Sequence, residues 1–211
     1  MRGDGNGWVV DRDGSKRWGR YGAAGLLLRA PGHRGEAMVL LQHRALWSHQ
    51  GGTWSLPGGA RDSHESAVET ALREAFEETG VDPAELKVRG ERETARIEAG
   101  WTYITVLADA PRTLPLFKNE ESEELRWVPE GEVESLPLHP AMASGWPSVR
   151  TRQVTLAPWQ SDEELVGLFE ILAHGGHQRT VELPDGGFGW LGAEGETMDV
   201  PRETALSWLR G

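Results

Sequence analysis

Between Gly59 and Val81 the chain reads GARDSHESAVETALREAFEETGV, and no other stretch restricts its fold as strongly. Ala67, Val68, Ala71, Leu72, Ala75 and Phe76 recur at helical spacing, so a helix from about Ser63 to Thr79 would lay an apolar stripe against a sheet. Asp62 with Glu65 three residues on has the form of a capping box, Ser63 being the competing cap. Gly80 is placed to end the helix in the left-handed conformation, ahead of apolar Val81. Glu74, Glu77 and Glu78 then fall at i, i+3 and i+4 and share another side of the helix. That placement is costly. Like charges at these spacings destabilise a helix by roughly 0.2–0.5 kcal/mol per pair, and the negative end of the helix dipole disfavours carboxylates in the last turns. Arg73 alone stands within reach as a helix neighbour of Glu77, and no lysine is interleaved on that face. An ordinary solvated face would mix in lysines and carry its acids at the other end. A hard divalent cation such as magnesium, which takes oxygen ligands octahedrally, turns the repulsion into attraction.

The segments around this helix suit a mixed α/β arrangement. Trp8 to Asp11 and Lys16 to Arg20 flank the turn Asp13-Gly14, and Gly22 to Arg29 and Ala37 to Arg44 are apolar runs of buried-strand length. Gly51 to Gly59 is a glycine- and proline-rich loop. Asp82-Pro83 would cap and open a short helix, followed by strands at Leu86 to Arg96, Trp101 to Ala108 and Glu124 to Val128. Pro140 to Arg150 is helical, interrupted or bent near Gly145 and Pro147. After Arg150 the character changes: a helix at Ser161 to Ala173, a hairpin of His177 to Leu183 with Gly187 to Leu191, and a short helix from Pro201 to Leu209. The division expected is a flexible leader over 1–7, one domain over 8–150 and an accessory α+β region over 151–211.

Composition narrows the classes of function. The chain has no cysteine, which removes disulfides and thiolate metal sites. Its net charge of −11 opposes binding along a nucleic-acid duplex, so an anionic ligand needs a local reversal of the field. No apolar run approaches the roughly 20 residues of a membrane helix, and the start lacks a secretory core, making a cytoplasmic location the default expectation. His174 and His177 have the look of metal ligands but sit at a helix stop with no third ligand near.

Taken whole, the segment resembles the signature of the MutT/Nudix hydrolases, G-x5-E-x7-R-E-U-x-E-E-x-G-U with U bulky and apolar. Gly59, Glu65, Arg73, Glu74, Glu77, Glu78 and Gly80 match, Val81 fills the last apolar position, and Ala75 is a small occupant of the other. The resemblance implies a Nudix-type α/β/α sandwich with a mixed sheet over about Tyr21 to Arg150. It implies that Glu74, Glu77 and Glu78 bind Mg2+, with Mn2+ as a substitute, helped by the carbonyl of Gly58. Glu65 and Arg73 would form an ion pair holding loop to helix, with Gly59 and Gly80 as turn residues.

Hydrolysis of a diphosphate linkage also needs a proton acceptor for the attacking water. In the acidic loop Asn119 to Glu124, Glu121 is favoured for that part, with Glu120 and Glu124 close behind. Arg44, ending a strand that runs toward the site, suits a substrate phosphate or a plain surface position equally. Trp54 and Trp127 could stack on a base, although a tryptophan near a strand is more often core. Among Nudix substrates, the downstream proline associated with ADP-ribose is missing around Ala95 to Glu98, and Tyr103 comes too late for the diadenosine polyphosphate pattern. Elimination leaves a nucleoside triphosphate, an oxidised one of the 8-oxo-dGTP kind included, as the expected small-molecule partner. The alternatives are a nucleotide-sugar or ADP-ribose pyrophosphatase and a non-catalytic nucleotide-binding module; a homodimer is compatible with the sequence.

Overall fold

The computed structural model describes residues 3–32 and 37–150, and the backbone of two strands at 179–182 and 188–191. Trp8–Val10 (β1) and Lys16–Trp18 (β2) pair as the expected hairpin, its turn closed by Gly14 at φ 81° and by Ser15 N–H donating to Asp13 Oδ1 at 2.8 Å. Residues 4–7, expected within a flexible leader, are instead fastened down. Gly5 N–H donates to Asp62 Oδ1 at 2.7 Å, and Ser63 donates its N–H and hydroxyl to Asp4 at 2.9 and 2.6 Å. Asp4 thus satisfies the Ser63 N–H and hydroxyl in the loop ahead of the long helix.

The apolar runs form strands for the reason their patterns suggest: a strand covered on both faces reads as continuously hydrophobic. Ala23–Pro31 (β3) is buried from Ala23 through Ala30, and Ala37–Arg44 (β4) is buried through its middle. Two short strands, Trp54–Ser55 (β5) and Gly58–Ala60 (β6), emerge from the stretch expected to be loop. Lys87–Arg96 (β7), Thr102–Asp109 (β8) and Ser122–Pro129 (β9) complete a seven-stranded sheet of order β5-β4-β3-β8-β7, with β6 beside β3 and β9 beside β4. β3 and β8 run parallel and the other pairs antiparallel. β3 and β4 pair only at Arg29–Pro31 with Ala37–Val39; beyond that β3 pairs with β6 and β4 with β5, while β9 lines β4 from Met38 to Arg44. The sheet therefore splits, and the split is where the site lies.

One helix covers each face. Ala67–Thr79 (α1) packs Ala67, Ala71 and Ala75 on Ala24, Leu26, Leu28, Leu40 and Val106. Pro140–Val149 (α2) sets Trp146 and Val149 on Leu27, Val39, Leu41, Trp54 and Val128. Each fully buried leucine in these layers contributes roughly 1.5–3 kcal/mol. Arg29, wholly buried, joins the layers by donating to Glu130 at 2.7 Å and to the Val149 carbonyl at 2.6 Å. The result is the α/β/α sandwich with a mixed sheet that the sequence suggested.

Three details differ from expectation. α1 begins at Ala67, capped by Ser66 in a capping box with Glu69, because the Glu65 carboxylate is engaged elsewhere. Its buried face includes Thr70 and Glu78, so the helix is rotated away from the apolar stripe and Phe76 stays 52% exposed. α2 is continuous through Gly145 and Pro147; the glycine lets the helix approach Thr94 of β7, whose Cβ would lie 3.0 Å from an added methyl. The short turn opened by Asp82-Pro83 forms as expected. Arg179–Glu182 (β10) and Phe188–Leu191 (β11) pair antiparallel, in line with the expected hairpin, while the helices expected at 161–173 and 201–209, and His174 and His177, lie outside the described residues.

Candidate active site

At the split, α1 ends beside the loop that leads into β6. Glu65 and Arg73 meet as a two-pronged pair, Nε to Oε1 at 2.6 Å and Nη2 to Oε2 at 2.9 Å. Thr70 hydroxyl and Asp62 N–H complete the shell of the Glu65 carboxylate at 2.9 and 3.2 Å. Arg73 holds that carboxyl down to about 2, and Glu65 in turn raises the guanidinium's already high pKa. Arg73 also reaches the Ala60 carbonyl at 3.3 Å, Glu74 at 2.8 Å and Glu77 at 3.7 Å. Loop, helix and strand β6 are thereby fixed to one another, which is what a site with tight distance tolerances requires.

The three acids on α1 occupy different depths. Glu77 is open to solvent, Glu74 lies largely buried, and Glu78 is 3% exposed. Glu78 accepts a hydrogen bond from Gly58 N–H at 2.8 Å. Burial, reinforced by the facing carboxylates of Glu74 and Glu121, pushes Glu78 up to about 8. Burial likewise raises Glu74, against the pull of Arg73. Gly59 has no room for a side chain, because an added Cβ would stand 2.5 Å from the Glu74 carboxyl carbon. Gly80 ends α1 at φ 72°, its N–H on the Phe76 carbonyl at 2.8 Å.

From the opposite wall, Ala45 N–H donates to the Glu121 carbonyl at 2.9 Å, and the exposed Glu121 side chain bears on both Glu74 and Glu78. Glu124 is taken up by Arg126, with both contacts at 2.7 Å. Arg44 spends its Nε on the His49 carbonyl at 3.1 Å, and its charge acts on Tyr103 and His139. Two residues that the sequence reading did not select belong here. Gln42, buried on β4, donates to Ser122 Oγ at 2.9 Å and lies against Glu78. Tyr103 on β8 sets its hydroxyl where a side chain on Gly25 would be, so Gly25 is the signal that a bulky neighbour crosses there. Trp54 and Trp127 are core: Trp54 is stacked with His43, and Trp127 donates its Nε1–H to the Leu114 carbonyl at 3.0 Å.

The donor set suits a divalent cation. Glu77 and Glu121 both act on Glu74, Glu74 and Glu121 act on the buried Glu78, and Arg73 is engaged first by Glu65, so a cation would supply the counter-charge these carboxylates lack. Among the described residues a tighter triad of ligand atoms, all within 4.8 Å, occurs at Asp4, Asp62 and His64, but Asp4 and Asp62 there already serve Ser63 and Gly5. Among the described residues no helix is long and apolar enough to cross a membrane.

Residues 19–149 match the sequence model of the NUDIX domain. A Mycobacterium tuberculosis protein, provisionally named 8-oxo-dGTP diphosphatase 3, is 52% identical over 194 residues, covering 90% of this chain and 85% of that protein. A Bifidobacterium longum protein described as a nucleoside triphosphate pyrophosphatase/Nudix hydrolase fusion is 41% identical over 162 residues, 74% of this chain and 33% of the longer protein. The crystal structure of RenU, a Nudix hydrolase from M. smegmatis, is 54% identical and superposes with a TM-score of 0.66, covering 68% of this chain and 91% of that one.

Proposed function

Because the chain belongs to the Nudix hydrolase family and is thus a hydrolase of phosphoric anhydride bonds, we propose that it is a magnesium-dependent pyrophosphohydrolase of nucleoside triphosphates, 8-oxo-dGTP among them. The observation that carries this reading is the buried Glu78 carboxyl, held by Gly58 N–H at 2.8 Å beside a loop clamped by Glu65 and Arg73. The substrate class is supported by the name borne by the M. tuberculosis relative.

Glu74, Glu77 and Glu78 would hold the divalent cation, with the Gly58 backbone alongside; Mn2+ would suit the same oxygen donors. When bound, the ion lowers the pKa of a water and neutralises charge on the phosphoryl oxygens. Glu121 accepts the proton of the attacking water. Arg44, whose Nη atoms make no hydrogen bond among the described residues, holds a phosphate oxygen. The water oxygen bonds to phosphorus as the anhydride P–O bond breaks, giving a nucleoside monophosphate and pyrophosphate. Glu65 and Arg73 position the loop and touch no reacting atom. Residues 8–150 constitute the hydrolase domain and 151–211 an accessory region; the M. tuberculosis alignment, at 90% of the chain, extends into the latter.

A panel of nucleotides assayed with magnesium for monophosphate and pyrophosphate release tests the reading, alongside Glu77→Gln. At least one triphosphate should be cleaved and the variant should lose most of the rate. A fully active variant with unchanged metal dependence removes Glu77 from the role given to it.

A further inference from the structure

The hairpin β1–β2 is held on two sides. On one side Trp101 Nε1–H donates to the Trp18 carbonyl at 3.0 Å, and Gly19 and Gly22 bring the hairpin's exit against the start of β3. On the other side the Trp8 ring touches His49, centroids 5.7 Å apart, in the loop between β4 and β5. Trp18 stands on Trp8 at 5.1 Å, and the planes of Trp18 and His49 make angles of 72° and 68° with it. Trp8 is nevertheless 48% exposed and Trp18 43%. Two half-open indoles on strands of three residues are a poor device for stability, since exposed aromatic surface is avoided unless something covers it.

What lies beside them identifies the cover. The carbonyl of His49, whose ring meets Trp8, accepts from Arg44 Nε at 3.1 Å. Ala45, next to Arg44, donates its N–H to the Glu121 carbonyl at 2.9 Å, and Gln42, two residues before Arg44 on β4, lies against Glu78. The end of β4 thus leads from the acids to Arg44, and from Arg44 through His49 to the half-open indoles. A nucleotide has the same order of parts: anhydride, phosphate, planar base.

We propose that Trp8, Trp18 and His49 form the subsite for the nucleobase, making the hairpin and the β4–β5 loop the elements that hold the base. This rests on the nucleotide reading given above, and it concerns binding instead of bond cleavage. Stacking on an indole accepts any purine, so the slot supplies affinity for a base and leaves the choice among bases to polar contacts.

The test uses calorimetry on the full chain with calcium, titrating α,β-methylene dGTP and, separately, inorganic tripolyphosphate, which has no base. Trp8→Ala should weaken the nucleotide about tenfold or more, the scale of one lost stacking contact, while tripolyphosphate changes less than twofold. Trp8→Phe should recover most of the loss. Trp47→Ala, which removes the 71% exposed neighbour in the same loop, should change neither. Equal weakening of both ligands by Trp8→Ala, no weakening of either, or no nucleotide binding by the wild type overturns the inference. A wild type that cleaves no nucleotide yet shows the base-selective loss overturns the hydrolase reading and leaves the subsite standing.

Discussion

Replacing Glu78 by Gln should make the ion-free protein more stable while removing its activity. The wild-type carboxyl keeps its proton to about 8 when folded, against an ordinary value of 4.5. A carboxyl raised in this way makes folding take up a proton, so stability falls as pH rises from about 4.5 toward 8 and the penalty is complete above that. At pH 7.5 the unfolded chain released that proton about three pH units lower, which at 1.36 kcal/mol per unit is a ceiling of about 4 kcal/mol. Glutamine keeps an oxygen for Gly58 N–H and carries no charge, so it escapes the penalty. Taking half the ceiling for structural relaxation, about 2 kcal/mol, the midpoint should rise by roughly 4–8 °C for a chain of this size. The assay is thermal unfolding in EDTA at pH 4.5 and pH 8, with and without excess magnesium. The variant should gain at pH 8, match the wild type at pH 4.5, and respond less to magnesium. A variant no more stable than wild type at pH 8, or stabilised equally at both pH values, would refute the account of that side chain.

Gly59→Ala should fold normally, since the backbone there is not left-handed and the clash is with the movable end of Glu74, yet lose at least about tenfold in kcat; an active variant would show that Glu74 tolerates displacement. Arg73→Ala should destabilise by about 1–3 kcal/mol through the stranded Glu65 carboxyl and raise the magnesium requirement; urea unfolding and a metal titration read both. The Glu65 carboxyl, held to about 2, should contribute stability that is present above about 4.5 and lost as pH falls toward 2, and Glu65→Gln should flatten that limb of the acid-denaturation curve. Gly80→Ala, at φ 72° and facing Phe117 at 3.1 Å, should cost roughly 1–2 kcal/mol with kcat little changed.

The parts of the fold that were legible in the sequence are those in which local preference and tertiary need agree. β3, β4, β7, β8 and β9 are long runs whose pattern matches their burial, and Gly80 and Asp82-Pro83 are local signals with a local cause. The rotation of α1 was hidden because the reading placed apolar side chains inside, whereas the helix buries Glu78 and Thr70 and leaves Phe76 out. A charged residue turned inward has no apolar signature. β5 and β6 look like loop in the sequence because glycine-rich sequence carries no strand preference; their pairing is imposed by β3 and β4, and Gly58 permits the backbone to approach Ala24 closely. The three acids of α1 are legible from helical spacing, and the Glu65–Arg73 clamp from the resemblance to the Nudix signature. Gln42, Tyr103 and the Trp8–His49 contact could not, since they depend on which strand ends the topology brings together.

The attachment of Asp4 and Gly5 to Asp62 and Ser63 has a practical corollary. Asp4 and Gly5 act as a fastening for the segment ahead of α1, two residues from Glu65. A purification peptide fused upstream, or a proteolytic nick before Gly7, would loosen that segment with every signature residue intact. Preparations differing only at their amino end should then differ in specific activity.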